Sequence, residues 1–132
     1  MLYSDYYPAV QDSSDKPLLV FLHGLLGSGD DWSACHPFLE DFPLLCIDLP
    51  GHGQSRFIDP VGFDHCCKKI VQCITSQLAL NDLPANYPIV VIGYSMGGRL
   101  AMYGVTSPCF ETLNLEKVII EGGNFGLERD EE

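Results

Sequence analysis

Four short apolar runs, Leu18 to Leu22, Leu44 to Ile47, Ile89 to Ile92 and Val118 to Ile120, show almost no polar alternation and are bounded by turn residues. A strand with one wet face alternates, so unbroken runs of this length predict strands covered on both faces, as in a parallel sheet. Helical patterns lie between them. Phe63, Cys66 or Cys67, Ile70, Val71, Ile74 and Leu78 recur at three- and four-residue spacing, with Lys68, Lys69, Gln72 and Gln77 mostly on the other side, which predicts an amphipathic crossover helix. Asp30, Trp32, Cys35, Leu39 and Phe42 predict a shorter helix, interrupted near Pro37 because proline cannot donate to the helical ladder. The alternation of strand and helix predicts a doubly wound α/β sheet, with Leu2 to Tyr7 as an antiparallel edge strand. With 46% hydrophobic residues, the 132 residues supply core material for one domain. The acidic end, Glu128 to Glu132, is expected to be a solvated helix start or a frayed tail.

Chemistry concentrates where the third run ends. Gly93-Tyr94-Ser95-Met96-Gly97-Gly98-Arg99 follows the apolar Ile89 to Ile92 and leads into the helical Leu100-Ala101-Met102-Tyr103. A G-x-S-x-G pattern on a strand-to-helix turn exposes the serine hydroxyl at a helix N-terminus, which reads as a nucleophile elbow at Ser95. A second turn, His23-Gly24-Leu25, follows the first apolar run directly, so the amides of Leu25 and Met96 are expected to point at one oxyanion.

Charge and cysteine usage narrow the partners. Seven Lys and Arg against 18 Asp and Glu give a net charge of −11, which repels nucleic acid and anionic membrane surfaces. Met1 to Pro8 has neither the basic nor the apolar region of a secretion signal, and no apolar run approaches the ~20 residues of a membrane span. A cytoplasmic location is expected, with six free thiols at Cys35, Cys46, Cys66, Cys67, Cys73 and Cys109. No C-x-x-C pair is present, and in Cys35-His36 and His65-Cys66-Cys67 adjacent residues point to different sides of a helix, so no metal site is expected.

Phe21-Leu22-His23-Gly24, Asp48-Leu49-Pro50-Gly51-His52-Gly53, the Ser95 elbow and Ile120-Glu121-Gly122-Gly123 together resemble the α/β-hydrolases. Within them, Tyr94 before the serine, Gly98-Arg99 after it and the Glu-Gly-Gly turn are similar to lyases of menaquinone biosynthesis. The resemblance implies elimination of pyruvate from a cyclohexene carrying several carboxylates, without a cofactor. Ser95 would then act as the base that removes a ring proton, with backbone donors stabilising enolate-like charge. Arg99, one helical turn beyond Ser95, is placed to hold a carboxylate of a small anionic substrate; a solvated arginine or a salt bridge fits the same spacing. Tyr94 reads equally as a substrate contact or as packing at the elbow, and Gly24, Gly93, Gly97 and Gly98 as structural residues near the site.

The histidines depart from the pattern. His23 is expected to support the oxyanion loop by hydrogen bonding, His52 to sit in a turn at the pocket rim, and His36 and His65 to lie on the surface or pack on helices. All four precede Ser95, whereas the family places the triad acid and then the histidine after the serine. Glu121 is read as a turn residue or as support for the site. The resemblance implies a fold of more than two hundred residues, so the chain is expected to be the N-terminal part of a doubly wound α/β-hydrolase sheet, residues 1–132 being a partial core domain without the cap and C-terminal strands. An uncovered edge at Val118 to Ile120 would then favour self-association. Three readings remain open: the lyase, a serine carboxylesterase or thioesterase, and a noncatalytic fragment. A downstream acid and histidine would separate the third from the others, and pyruvate release against burst acylation the first two.

Overall fold

The computed structural model describes residues 1–10 and 15–122. Among these, five strands form one sheet in the order β1-β3-β2-β4-β5. They are β1 (Ser4–Tyr7), β2 (Leu18–Leu22), β3 (Leu44–Ile47), β4 (Ile89–Tyr94) and β5 (Leu115–Glu121). β1 runs antiparallel to β3, and β3, β2, β4 and β5 run parallel. This is the expected sheet with its antiparallel edge strand.

Strand alternation explains why the central runs carry no polar residue. Leu18, Val20 and Leu22 of β2 enter one core with Leu45, Ile70, Ile74 and Leu100, while Leu19 and Phe21 enter a second core on the opposite face with Leu44, Cys46 and Val90. Both faces of β2 and β3 are thus dry. The first core is closed by two helices, α1 (Gly62–Leu80) and α2 (Met96–Thr106), whose buried residues follow the helical period. α1 buries Cys66, Cys67, Ile70, Cys73, Ile74 and Leu78, but Phe63, expected on the same face, is 45% exposed at its first turn.

Two further expectations need correction. The segment Asp30 to Phe42 is not an α-helix but a 3-10 helix over Gly29–Phe38. Its start is fixed by a capping box between Ser28 and Asp31, after which Gly29, Asp30, Asp31 and Ser33 have low α-propensity and Pro37 prevents an α-turn. Its apolar side chains still reach the sheet, with the Trp32 ring centroid 4.9 Å from that of Phe21. The second correction concerns β5, which is not covered on both faces. Val118 and Ile120 pack on the core, but Glu116, Lys117, Ile119 and Glu121 are exposed, so this strand, the last of the sheet among the described residues, largely alternates. The acidic segment Glu128 to Glu132 and Gly123 lie outside the described residues.

Candidate active site

The chain leaves β2 toward β3 on one side and returns to β4 on the other, so the carboxyl ends of β2 and β4 flank a reversal of strand order. Open α/β sheets bind ligands at that crevice. Gly24 follows β2 and Ser95 follows β4, and the two turns meet: a Cβ on Gly24 would lie 3.4 Å from the Ser95 Cβ.

Ser95 is the N-cap of α2, with φ 54° and ψ −110°. Such a conformation costs a non-glycine residue about 1–3 kcal/mol and persists only when its surroundings hold it. They do so on both sides. The Ser95 N–H donates to the Glu121 carbonyl at 2.9 Å, continuing the β4–β5 ladder, and its own carbonyl accepts from the Arg99 N–H at 3.0 Å, starting the helix. Gly97 lets α2 press onto β2, since a Cβ there would collide with the Leu22 carbonyl, and Gly93 backs onto the Gly97 carbonyl, where its Cβ would be 2.6 Å away. Gly98 is buried beside them. The G-x-S-x-G pattern is therefore a packing requirement, and its product is a strained serine with no side-chain capping bond.

The loop after β2 is organised by His23, which is 1% exposed. Its Nδ1 lies 2.7 Å from the Gly24 carbonyl and its Nε2 accepts the Leu49 N–H at 2.9 Å. These contacts require the neutral ring with its proton on Nδ1, and burial pushes the His23 pKa down, against the raising effect of the Gly24 bond. In a trans peptide the N–H points opposite to the preceding carbonyl, so turning the Gly24 C=O toward the buried ring turns the Leu25 N–H away from it. Leu25 and Met96, the two expected oxyanion residues, line one cavity of about 230 Å³ together with His52. Tyr94 lies on the opposite side of the elbow. Its ring fills the space between two glycines, since a Cβ on Gly24 would be 3.0 Å from its Cδ2 and one on Gly122 3.3 Å from its Cε1. Tyr94 and Gly24 line a second cavity of about 280 Å³ with His23, Asp31, Trp32 and Glu121.

Arg99 is half-buried in the first turn of α2, one turn from Ser95. His52 has Nδ1 3.1 Å from the Pro50 carbonyl; His36 packs at a tilt against Tyr7 with centroids 4.5 Å apart; His65 is exposed. Among the described residues no histidine is hydrogen-bonded to Ser95. All six cysteines are free, and among the described residues no group of three or more His, Cys, Asp or Glu is arranged to hold a metal ion.

Sequence reasoning missed Asp48. Its carboxylate, on a residue 6% exposed, accepts the Gly29 N–H at 2.7 Å and the Gln54 N–H at 2.9 Å, tying the loop after β3 to the start of the 3-10 helix. The available signal was an acid at the strand end ahead of Pro50-Gly51-His52-Gly53, a turn whose amides need an acceptor.

Comparison with known proteins agrees with this fold. The sequence profile of the alpha/beta hydrolase fold matches residues 17–104. A 2-succinyl-6-hydroxy-2,4-cyclohexadiene-1-carboxylate synthase from Yersinia enterocolitica is 42% identical over 116 residues, covering 87% of this chain and 39% of the relative. The synthase of the same name from Pectobacterium atrosepticum is 38% identical over 117 residues, covering 89% of this chain and 43% of the relative. The structure of MenH from S. aureus superposes with a TM-score of 0.74 at 26% identity, over 98% of this chain and 45% of that one. The chain thus spans less than half the length of these relatives. With the profile match covering well over half of its residues, and a parallel sheet that delivers a strained serine between β4 and α2, the chain belongs to the α/β-hydrolase family.

Proposed function

We propose that this chain carries the serine-bearing part of a lyase site that eliminates pyruvate from a carboxylated cyclohexene, forming 2-succinyl-6-hydroxy-2,4-cyclohexadiene-1-carboxylate in menaquinone biosynthesis. The observation that supports this most is the strained Ser95 elbow, set in a sequence 38% and 42% identical to synthases of that name. In this reading the Ser95 oxygen takes the ring proton, the pair left behind moves through the ring to form the second double bond as the ring carbon–oxygen bond breaks, and the departing enolate takes up a proton to become pyruvate. The amides of Leu25 and Met96 face the charge that develops on the substrate, while Arg99 holds one of its carboxylates and Tyr94 contacts it from the other side of the elbow. The substrate is small and anionic, and the cytoplasm is the compartment that six free thiols suit. Among the described residues no helix is long and apolar enough to cross a membrane.

Ser95 needs a partner to accept its own proton. His23 is not suited, because both of its ring nitrogens are engaged by backbone groups. The 132-residue chain alone is therefore expected to show neither pyruvate release nor ester cleavage. The test is a chimera joining residues 1–122 to the C-terminal portion of the Yersinia relative, assayed for pyruvate and for p-nitrophenyl ester cleavage. The lyase reading expects pyruvate release that Ser95→Ala lowers by about three orders of magnitude, and Arg99→Ala by about 1.5–3 kcal/mol in transition-state stabilisation. A burst of p-nitrophenol without pyruvate would assign a carboxylesterase or thioesterase instead, since the same elbow serves acyl transfer. A folded chimera with neither activity would leave the noncatalytic reading.

A further inference from the structure

The two cavities that flank the elbow differ in chemistry. The one beside Tyr94 includes two acidic residues, Asp31 and Glu121, in its lining, together with Trp32. The one beside Met96 is walled by Leu25, Leu49, Pro60, Phe63, Met96 and Leu100, and no residue that lines it among those described is acidic. A substrate bearing several carboxylates is repelled by the first and has apolar wall to occupy in the second. Size agrees as well. An apolar cavity of about 150 Å³ accepts benzene, so about 230 Å³ accommodates a six-membered carbon ring with a substituent. Met96, the first residue of α2, opens on this cavity, and the first-turn amides receive no bond from the Ser95 side chain. Those donors and the positive end of the helix suit a carboxylate on the ring's inner edge.

From this we infer that the cavity between the Pro50–Pro60 loop and the first turns of α1 and α2 is the subsite for the carbocyclic ring of the substrate, with Phe63 and Leu100 as residues that set its specificity. The inference rests on the lyase reading and adds to it where the ring lies. It also makes Phe63 intelligible. Its ring is 45% exposed at the start of α1, held edge-on to Tyr103 at 5.9 Å, and forms part of the cavity wall.

Cys66 supplies a native reporter, because it lines this cavity, whereas Cys67 is buried against the Leu100 carbonyl and Trp32, the chain's one tryptophan, lines the other cavity. The 132-residue chain is titrated with cyclohex-1-ene-1-carboxylate while iodoacetamide labelling of each cysteine is followed by peptide mass spectrometry and Trp32 by fluorescence. The expected result is Cys66 labelling slowed about tenfold at a ligand concentration about ten times Kd, with Trp32 emission unchanged and Cys67 unlabelled throughout, which also shows that the chain is folded. Phe63→Ala, and Phe63→Leu as a milder change, should weaken protection, the former by about tenfold in Kd. Trp32 quenching without Cys66 protection, or no protection at all, overturns the subsite. If the chimera still releases pyruvate, only the subsite has failed. Stronger protection by octanoate than by the ring also overturns it, and with a p-nitrophenol burst it removes the lyase reading too.

Discussion

Ser95 is held in a backbone conformation that its residue type disfavours. Its φ of 54° with ψ of −110° is a conformation that glycine adopts without penalty. Ser95→Gly is therefore expected to raise stability by about 1 kcal/mol, read as a higher midpoint in urea unfolding, while abolishing turnover in the chimera; an unchanged or lower midpoint would mean the elbow is unstrained. His23 is held neutral by burial, with backbone groups engaging both of its ring nitrogens. Burial lowers its folded pKa below the unfolded value of 6.5, so the unfolded chain binds more protons and stability rises with pH. The contribution is complete above the unfolded pKa and is lost as pH falls through the folded one. Urea unfolding between about pH 7.5 and about pH 5 should show this decline, and His23→Gln should flatten it while costing about 1–3 kcal/mol at the upper end. A variant with the same pH slope as the parent would assign the decline to another group.

At the scale of elements, the contact between α2 and β2 decides where the serine stands. A Cβ on Gly97 would meet the Leu22 and His23 carbonyls, which are backbone and cannot swing aside. Gly97→Ala should accordingly cost more than about 3 kcal/mol or prevent folding, whereas an alanine at Gly62, which has nothing within 4 Å, meets only the strain of its φ of 70°. Thermal unfolding of the two variants orders them. α1 offers a chemical test of its register. Cys67 and Cys73 are fully buried and burial pushes the Cys67 thiol up to about 12, while Cys35 and Cys109 are half-buried on other segments. Native alkylation should proceed at Cys35 and Cys109 well before Cys67 and Cys73, and denatured, unreduced protein should yield all six thiols; recovery of fewer would place disulfides where the structure has none.

For the whole molecule, the uneven finish of the sheet matters most. β1 ends one side as a short antiparallel strand, but β5 ends the other with an exposed face that includes Ile119 at 45% exposure and, among the described residues, no strand beyond it. Such an edge is a template for pairing, opposed here by a net charge of −11. Sedimentation velocity at rising salt should show self-association as repulsion is screened, and Ile119→Lys should suppress it. A monomer at every salt concentration would remove the edge as an association surface.

Much of this was legible in the chain because it follows from local rules. Unbroken apolar runs required strands dry on both faces, as β2 and β3 are; the glycine pattern around Ser95 required a turn too tight for side chains; and the spacing of Cys66, Ile70, Ile74 and Leu78 required one buried helix face. The 3-10 winding of Gly29–Phe38 was not legible, because its apolar spacing suits either helix and the outcome turned on caps and a proline. Nor was the open face of β5, whose central residues read like those of an interior strand, because which of its faces is packed depends on what the fold lays against it, and Ile119 is left 45% exposed. Asp48 as a loop clamp, the His23 tautomer and the contrast between an apolar and an acidic cavity on either side of Ser95 all depend on atoms far apart in sequence. Local sequence sets which conformations each segment tolerates, but a buried polar group finds its partner, and a cavity its walls, only when distant segments are packed together.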